Sequence, residues 1–190
     1  MSLPSRVPVR PTLEARLAEV EDRLAIQELV SRFYFEVDNR DLQAVGELFT
    51  PEGRFGTKDG VMGATGRDAI LRTLDQRFTV LGATNHISHD HVIWFEGATR
   101  ARGLLSAHAE LWRNERAEIT ALRYDDVYEK ADDGLWRFSE RLLSYMYYLP
   151  VADYAAALGR LDRNHAFAVP APADYPERLP TYVERRPAKA

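Results

Sequence analysis

The sequence predicts an α+β fold in which three helices precede a meander of long antiparallel strands. Two observations carry this. Up to about residue 81 the apolar residues recur mostly at helical spacings of three and four. Beyond Gly82, four β-rich segments follow one another, each closed by a turn signal.

Taken in order, residues 1–11 hold three prolines and little apolar periodicity, and read as a flexible arm. From Thr12, the positions Leu13, Leu17, Val20, Leu24, Ile26, Leu29, Val30 and Phe33 mark a helix. It should run to Asp38 or Asn39, with a break near residues 19–22. Asp41 is a suitable N-cap for a second helix over 42–49, halted by Thr50-Pro51. Pro51-Glu52-Gly53 reads as a turn and residues 54–56 as a short strand. The glycine-rich stretch 60–66 reads as a loop. A third helix is expected over 68–81, with Ile70, Leu74 and Phe78 on one face.

Strands follow over 84–95, 99–113, 118–130 and 135–147. Glu96-Gly97, Asn114-Glu115 and Asp132-Asp133-Gly134 separate them, the last a strong hairpin mark. These elements make a domain over 12–150. Residues 151–190 form an extension, a short helix near 152–161 and then a proline-rich tail, expected on the surface or on a neighbouring subunit.

Composition narrows the function. A chain of 190 residues with 45% hydrophobic and 28% charged residues is ordinary globular material. Its net charge of −4 is spread along the chain, without the basic footprint nucleic acid requires. Cysteine is absent, which excludes disulfides and thiolate metal sites. The start lacks the apolar core of a signal peptide, and no segment is long and apolar enough for a membrane span. A cytoplasmic protein is expected.

Three residues stand out as candidates for chemistry. Asp38 closes the first helix beside its apolar face, where an anion opposes the helix dipole; a solvated helix-end acid is the plain alternative. His86 begins the run His86-Ile87-Ser88-His89-Asp90-His91. Strand alternation sets His86, Ser88, Asp90, Val92 and Trp94 on one face and His89, His91 and Ile93 on the other. That separation, with no carboxylate at a familiar ligand spacing, argues against a metal site; His89 and His91 read as surface or subunit contacts. His108 shares a face with Ser106 and Glu110, opposite Leu105, Ala107, Ala109 and Leu111. It is either a hydrogen-bonded core residue or a functional one. The many aromatics are mostly core, with Tyr124 and Tyr145 able to offer phenols to a cavity.

Several local motifs then fall in a recognisable order. They are Ile26-Gln27-Glu28-Leu29-Val30, Phe33, Asp38 and Asp41; Leu48-Phe49-Thr50-Pro51-Glu52-Gly53; Gly66-Arg67-Asp68-Ala69-Ile70; Thr84-Asn85-His86; Tyr124-Asp125-Asp126-Val127-Tyr128; and Gly134-Leu135-Trp136-Arg137-Phe138 with Arg141. This order, over about residues 13–150, resembles the SnoaL-like branch of the nuclear transport factor 2 superfamily. The resemblance implies a cone-shaped α+β barrel, helices packed on a strongly curved antiparallel sheet around a pocket. It is nearest to cofactor-free lyases of the scytalone dehydratase, hexachlorocyclohexane dehydrochlorinase and bile acid dehydratase type. These lyases share a helix aspartate and a strand histidine, whose positions Asp38 and His86 occupy. His108 falls at the place of scytalone dehydratase's second histidine. Val37 replaces the tyrosine that enzyme carries beside its aspartate, and Phe55 stands near another of its phenols. Arg141 is the candidate counterpart of the arginine in the other two.

The resemblance implies catalysis without cofactor or metal: Asp38 orients His86, and His86 takes a proton from carbon. His108, Tyr124 or Tyr145 would serve the leaving group. Phe33, Tyr34, Phe55, Trp94, Tyr124, Arg141 and Tyr145 are the expected substrate contacts, around a small apolar polyketide, steroid, terpenoid or aromatic molecule. A homotrimer or homodimer is expected. A polyketide cyclase or ketosteroid-type isomerase, or a non-catalytic ligand-binding module or small dioxygenase subunit, are the alternatives.

Overall fold

The computed structural model describes residues 12–185, so the expected arm over 1–11 lies outside the described residues. Helix α1 spans Leu13–Asn39 as one continuous rod, without the break expected near residues 19–22. No proline or glycine interrupts it, so nothing forces a kink. The Thr12 hydroxyl caps it by accepting from Ala15 N (3.1 Å). Only its second half is buried, from Ile26 through Val37. Helix α2, Leu42–Glu47, carries the expected Asp41 cap, which accepts from Ala44 N at 2.9 Å. It stops at Glu47 because Phe49 already belongs to strand β1, Phe49–Thr57. The expected loop at 60–66 contains a three-residue strand, β2, Gly63–Thr65, hairpinned onto β1. Helix α3, Arg67–Phe78, ends short of the expected Leu81.

Four long strands follow: β3 Leu81–Phe95, β4 Arg100–Arg113, β5 Arg116–Lys130 and β6 Trp136–Pro150. They form one six-stranded sheet in the order β2-β1-β6-β5-β4-β3. The meander β3 to β6 is antiparallel, but β1 pairs with β6 in parallel, so the sheet is mixed where an all-antiparallel one was expected. Nor is it a closed barrel, since β2 and β3 remain its edges. The helices cover one face; the core between holds Ile26, Val30, Phe33, Phe49, Ile70, Leu105 and Phe138, among others.

Alternation assigns the faces of the sheet. On β4 the buried residues are Ala101, Gly103, Leu105, Ala107, Ala109 and Leu111, all facing the helices. On β3 the register slips between Ser88, paired with Ala107, and His91, paired with Leu105: three steps on one strand against two on the other. This bulge reverses the alternation downstream. His91 and Ile93 therefore join His86 on the inner face, and Trp94 passes to the outer one. Bulges in β5–β6 pairing likewise adjust the register near Ala121 and Val127.

Beyond β6 a 3-10 helix spans Val151–Gly159. The tail then returns along the edge of β6: His165 N donates to Tyr148 O (2.7 Å) and Asp174 N to Tyr145 O (2.8 Å). Arg163 pins it, donating to the carbonyls of Met146 and Arg160 and to Glu177 while itself 2% exposed. A single turn, α4, Pro180–Val183, follows. Among the described residues no helix is long and apolar enough to cross a membrane.

Candidate active site

Asp38 lies in the last turn of α1, and two features fix it against β3. Arg40, at φ 62°, ends the helix in the left-handed conformation. Its guanidinium donates to the carbonyls of Phe78 (3.0 Å), Leu81 (2.6 Å) and Gly82 (2.6 Å), tying the helix end to the start of β3. The Asp38 carboxylate then meets three donors of that strand. One oxygen takes the Thr84 hydroxyl at 2.6 Å and His86 Nδ1 at 2.6 Å; the other takes the His86 backbone N–H at 2.7 Å. Burial pushes the Asp38 carboxyl up, but bonds from the His86 ring, the Thr84 hydroxyl and the His86 amide outweigh it and hold it below its ordinary value. A carboxylate accepting at Nδ1 fixes the proton there, which leaves the lone pair on Nε2.

Tyr34 stacks on the His86 ring, with centroids 5.7 Å apart and planes within 16°. His86 lines a narrow cavity of about 60 Å³ with Phe33, Phe55, Leu111, Tyr124 and Tyr145. Its partly exposed walls are Met62, Arg77, Phe78 and Leu81, and Arg77 Nη1 approaches Met62 Sδ at 3.4 Å. This space is no more than a couple of water molecules need. Two concavities of about 300 and 330 Å³ open elsewhere on the molecule, away from the Asp38–His86 pair. It is the narrow one that His86 lines.

Behind the cavity lies a charge that the sequence suggested only through resemblance. Arg141 is fully buried, its guanidinium 4.0 Å from the centre of the Tyr124 ring and 4.5 Å from those of Phe33 and Phe138. It donates to the Tyr34 hydroxyl at 3.0 Å and stands 3.4 Å from Asp126 Oδ2. Its Nε and Nη1 have no hydrogen-bond partner among the described residues. The same Asp126 oxygen accepts from Tyr128 (2.8 Å), whose hydroxyl also meets His91 Nε2 at 3.0 Å. Burial drives Asp126 up to about 6 despite Arg141, and burial with the nearby cations drives His91 down to about 4. Burial also raises Tyr124 and Tyr145, so both phenols stay protonated as hydrogen-bond donors. The sequence placed Asp126 only within a motif and read His91 as a surface or subunit contact; the bulge in β3 instead turns His91 inward onto Tyr128. The signal was there in parity, since Asp126 alternates with Tyr124 and Tyr128 on the inner face of β5.

Two expected site residues stand elsewhere. His108 pairs with Ile87 on the outer face of the sheet, where its ring nitrogens meet His89 (2.7 Å) and the Tyr147 hydroxyl (3.1 Å). With Ala107 and Ala109 facing inward, strand parity puts His108 outside. Trp94 is also outside, displaced by the β3 bulge. Of the other expected contacts, Phe33, Phe55, Tyr124 and Tyr145 line the cavity, while Tyr34 and Arg141 back it. Among the described residues no three histidine or acidic side chains are grouped to hold a metal ion.

Comparison with known proteins agrees with this architecture. A family model, the SnoaL-like domain, matches residues 18–142. The chain belongs to the SnoaL-like domain family. Its relatives include the uncharacterized protein Rv2910c of Mycobacterium tuberculosis, 25% identical over 129 residues, which span 66% of this chain and 86% of that protein. Among solved structures, a candidate scytalone dehydratase from Novosphingobium aromaticivorans superposes on this SnoaL-like domain with a TM-score of 0.68. It is 22% identical, over 84% of this chain and 98% of the other. The hexachlorocyclohexane dehydrochlorinase LinA-type3 from Novosphingobium barchaimii gives a TM-score of 0.66 at 21% identity, over 72% and 94% of the two chains. At these identities the likeness is one of fold.

Proposed function

We propose that this SnoaL-like domain is a cofactor-independent lyase in which His86, oriented by Asp38, removes a proton from a carbon of a small apolar substrate. The observation that carries this reading is the Asp38–His86 contact of 2.6 Å, together with the place of His86 on a cavity lined mainly by apolar and aromatic side chains. Neutral imidazole is a base matched to neutral pH, and a carboxylate on its second nitrogen stabilises the imidazolium that forms. A structural histidine would not need that carboxylate to be held by two further donors.

The leaving group departs from the carbon next to the one that loses its proton, and a double bond forms between them. With His108 on the outer face, the donors that could assist departure are the Tyr124 and Tyr145 phenols, with the Arg141 charge behind Tyr124. Scytalone dehydratases and hexachlorocyclohexane dehydrochlorinases are named for eliminations of this kind, losing water and hydrogen chloride respectively. The cavity walls favour a polyketide, terpenoid, steroid or aromatic substrate over a sugar or nucleotide. A ring-sized molecule enters only if Met62, Arg77 and Phe78 move aside, because about 60 Å³ does not hold it.

The test uses scytalone and γ-hexachlorocyclohexane as first probes, with product release followed by chromatography. A positioned general base contributes about 100- to 10,000-fold, so His86→Ala should lose at least that much turnover, and Asp38→Asn a comparable share. Full turnover in either variant would refute the assignment. Product analysis separates elimination from isomerisation, since only the former releases water or chloride.

A further inference from the structure

The opposite face of the sheet carries a second concavity, with a different lining. Between the outer face and the returning tail lies a cleft of about 330 Å³. Its floor is Arg123 of β5, which pairs in register with Ser106 of β4 on one side and Ser144 of β6 on the other. Its walls are Trp94 and Leu104, and its roof is Tyr175 and Leu179 of the tail.

Three cations and three carboxylates line this cleft, but they are not all paired with one another. Lys58 is paired with Asp125 (2.8 Å) and Arg178 with Asp174 (3.5 Å). Asp59, exposed at the rim, caps the turn at Val61 N (3.0 Å). Arg123 has no carboxylate and no hydrogen-bond acceptor among the described residues. Its guanidinium carbon instead lies over the Tyr175 ring, 4.3 Å from the centroid. Stacking of this kind satisfies the face of a guanidinium and leaves its edge, with its N–H donors, free. The Ser144 hydroxyl, on a side chain nearly buried, also has no partner among the described residues.

A planar donor edge grips a carboxylate in a bidentate manner, and the Ser144 hydroxyl lines the same cleft. Beside it, Trp94, Leu104 and Leu179 offer an apolar wall. We propose that this cleft binds a small carboxylic acid bearing an aromatic or branched apolar group, with its carboxylate on Arg123 and Ser144. The site is separate from the Asp38–His86 cavity, which opens on the other side of the sheet, and it stands whether or not that cavity is catalytic.

The probe is sodium phenylacetate, titrated into the full chain by calorimetry, with neutral phenylacetamide as the control. Saturable one-to-one binding is expected, weakened about tenfold or more in Arg123→Gln, the cost of a lost charge-assisted pair. Phenylacetamide should bind about tenfold more weakly as well. His86→Ala should leave the affinity unchanged. If Arg123→Gln does not fold, Arg123→Lys keeps the charge but not the fork, and should still weaken binding severalfold. No heat up to about 10 mM acid, a range that covers even weak ligands, would overturn the proposal. So would equal binding by Arg123→Gln, or loss of binding in His86→Ala, which would place the acid in the inner cavity. Protection of Trp94 and Arg123 by a second copy of the chain, seen as slowed hydrogen exchange at rising protein concentration, would also overturn it.

Discussion

Gly103→Ala is the sharpest probe of the buried polar chain behind the candidate site. Gly103 sits on the inner face of β4, opposite Ile93 and Asp126. A methyl group there would stand 2.6 Å from the Tyr128 hydroxyl, 2.8 Å from His91 Nε2 and 2.8 Å from Tyr128 Cε2. These atoms cannot yield cheaply. Tyr128 is fully buried, and its hydroxyl bridges His91 and Asp126. Overpacking alone costs about 1–3 kcal/mol. Losing the Tyr128 bond to a carboxylate adds about 1.5–3 kcal/mol. The stiffer unfolded chain of the variant offsets at most about 1 kcal/mol. The sum is a loss of about 1.5–6 kcal/mol, a large part of a typical domain's stability of about 5–15 kcal/mol. Urea unfolding followed by tryptophan fluorescence measures it. Tyr128→Phe removes the nearest clashing atom, so the alanine should cost at least about 1 kcal/mol less in that background. A Gly103→Ala protein within about 0.5 kcal/mol of the parent, or strict additivity with Tyr128→Phe, would refute the reasoning.

The same chain carries a pH signature. His91 is held neutral, its folded value near 4 against the ordinary 6.5, so acid favours the unfolded state. Between pH 7 and 4 this removes about 3 kcal/mol, at about 1.4 kcal/mol per pH unit. Asp126, raised from 3.8 to about 6, works in the opposite sense, because the folded protein takes up its proton first. The stability of His91→Gln relative to the parent should therefore rise by about 3 kcal/mol from pH 7 to 4, and that of Asp126→Asn should fall; flat differences in urea titrations would contradict both. Arg141→Leu leaves Asp126 buried without its cation and should cost about 3–5 kcal/mol, whereas Arg141→Leu with Asp126→Leu should recover most of it. If the double variant is no better than the single one by urea unfolding, the pair is not the source of the cost. Arg163→Ala removes the anchor of the tail, so limited trypsin digestion should cut within residues 160–178 far faster than in the parent. Equal cleavage rates would show that the β6 edge alone holds that segment.

Much of this fold was legible in the sequence because its signals are local. Helical spacing, the Asp41 cap and the hairpin at Asp132-Asp133-Gly134 are written within a few residues, and each marks an element seen in the structure. The parallel pairing of β1 with β6 was not legible, since it joins Phe55 to Arg141 across 86 positions with no turn between them. The site divides in the same way. Asp38 and His86 were visible through the order of motifs and are in contact. Trp94 was misplaced because the bulge after Ser88 depends on pairing with β4, which strand alternation cannot report. His108 was placed on its face correctly by parity, but which face looks inward is a tertiary fact. Asp126 and His91 were not linked to the site because a buried charge chain is made by packing from three strands.

The bulge in β3 has a further consequence for how this sequence can change. The run from His86 to His91 serves two surfaces of the sheet at once: His86 and His91 turn toward the helices, and His89 turns away. Loss of one residue between Ser88 and His91 would remove the bulge and leave His91, Ile93 and Trp94 on the sides they now occupy, because two steps on β3 would then face two on β4. The same strand at its present length, paired without the bulge, would send everything after Ser88 to the opposite side while Asp38 and His86 kept their contact. The outer cleft and the buried proton-holding chain thus both depend on one local irregularity that lies outside the aspartate–histidine pair.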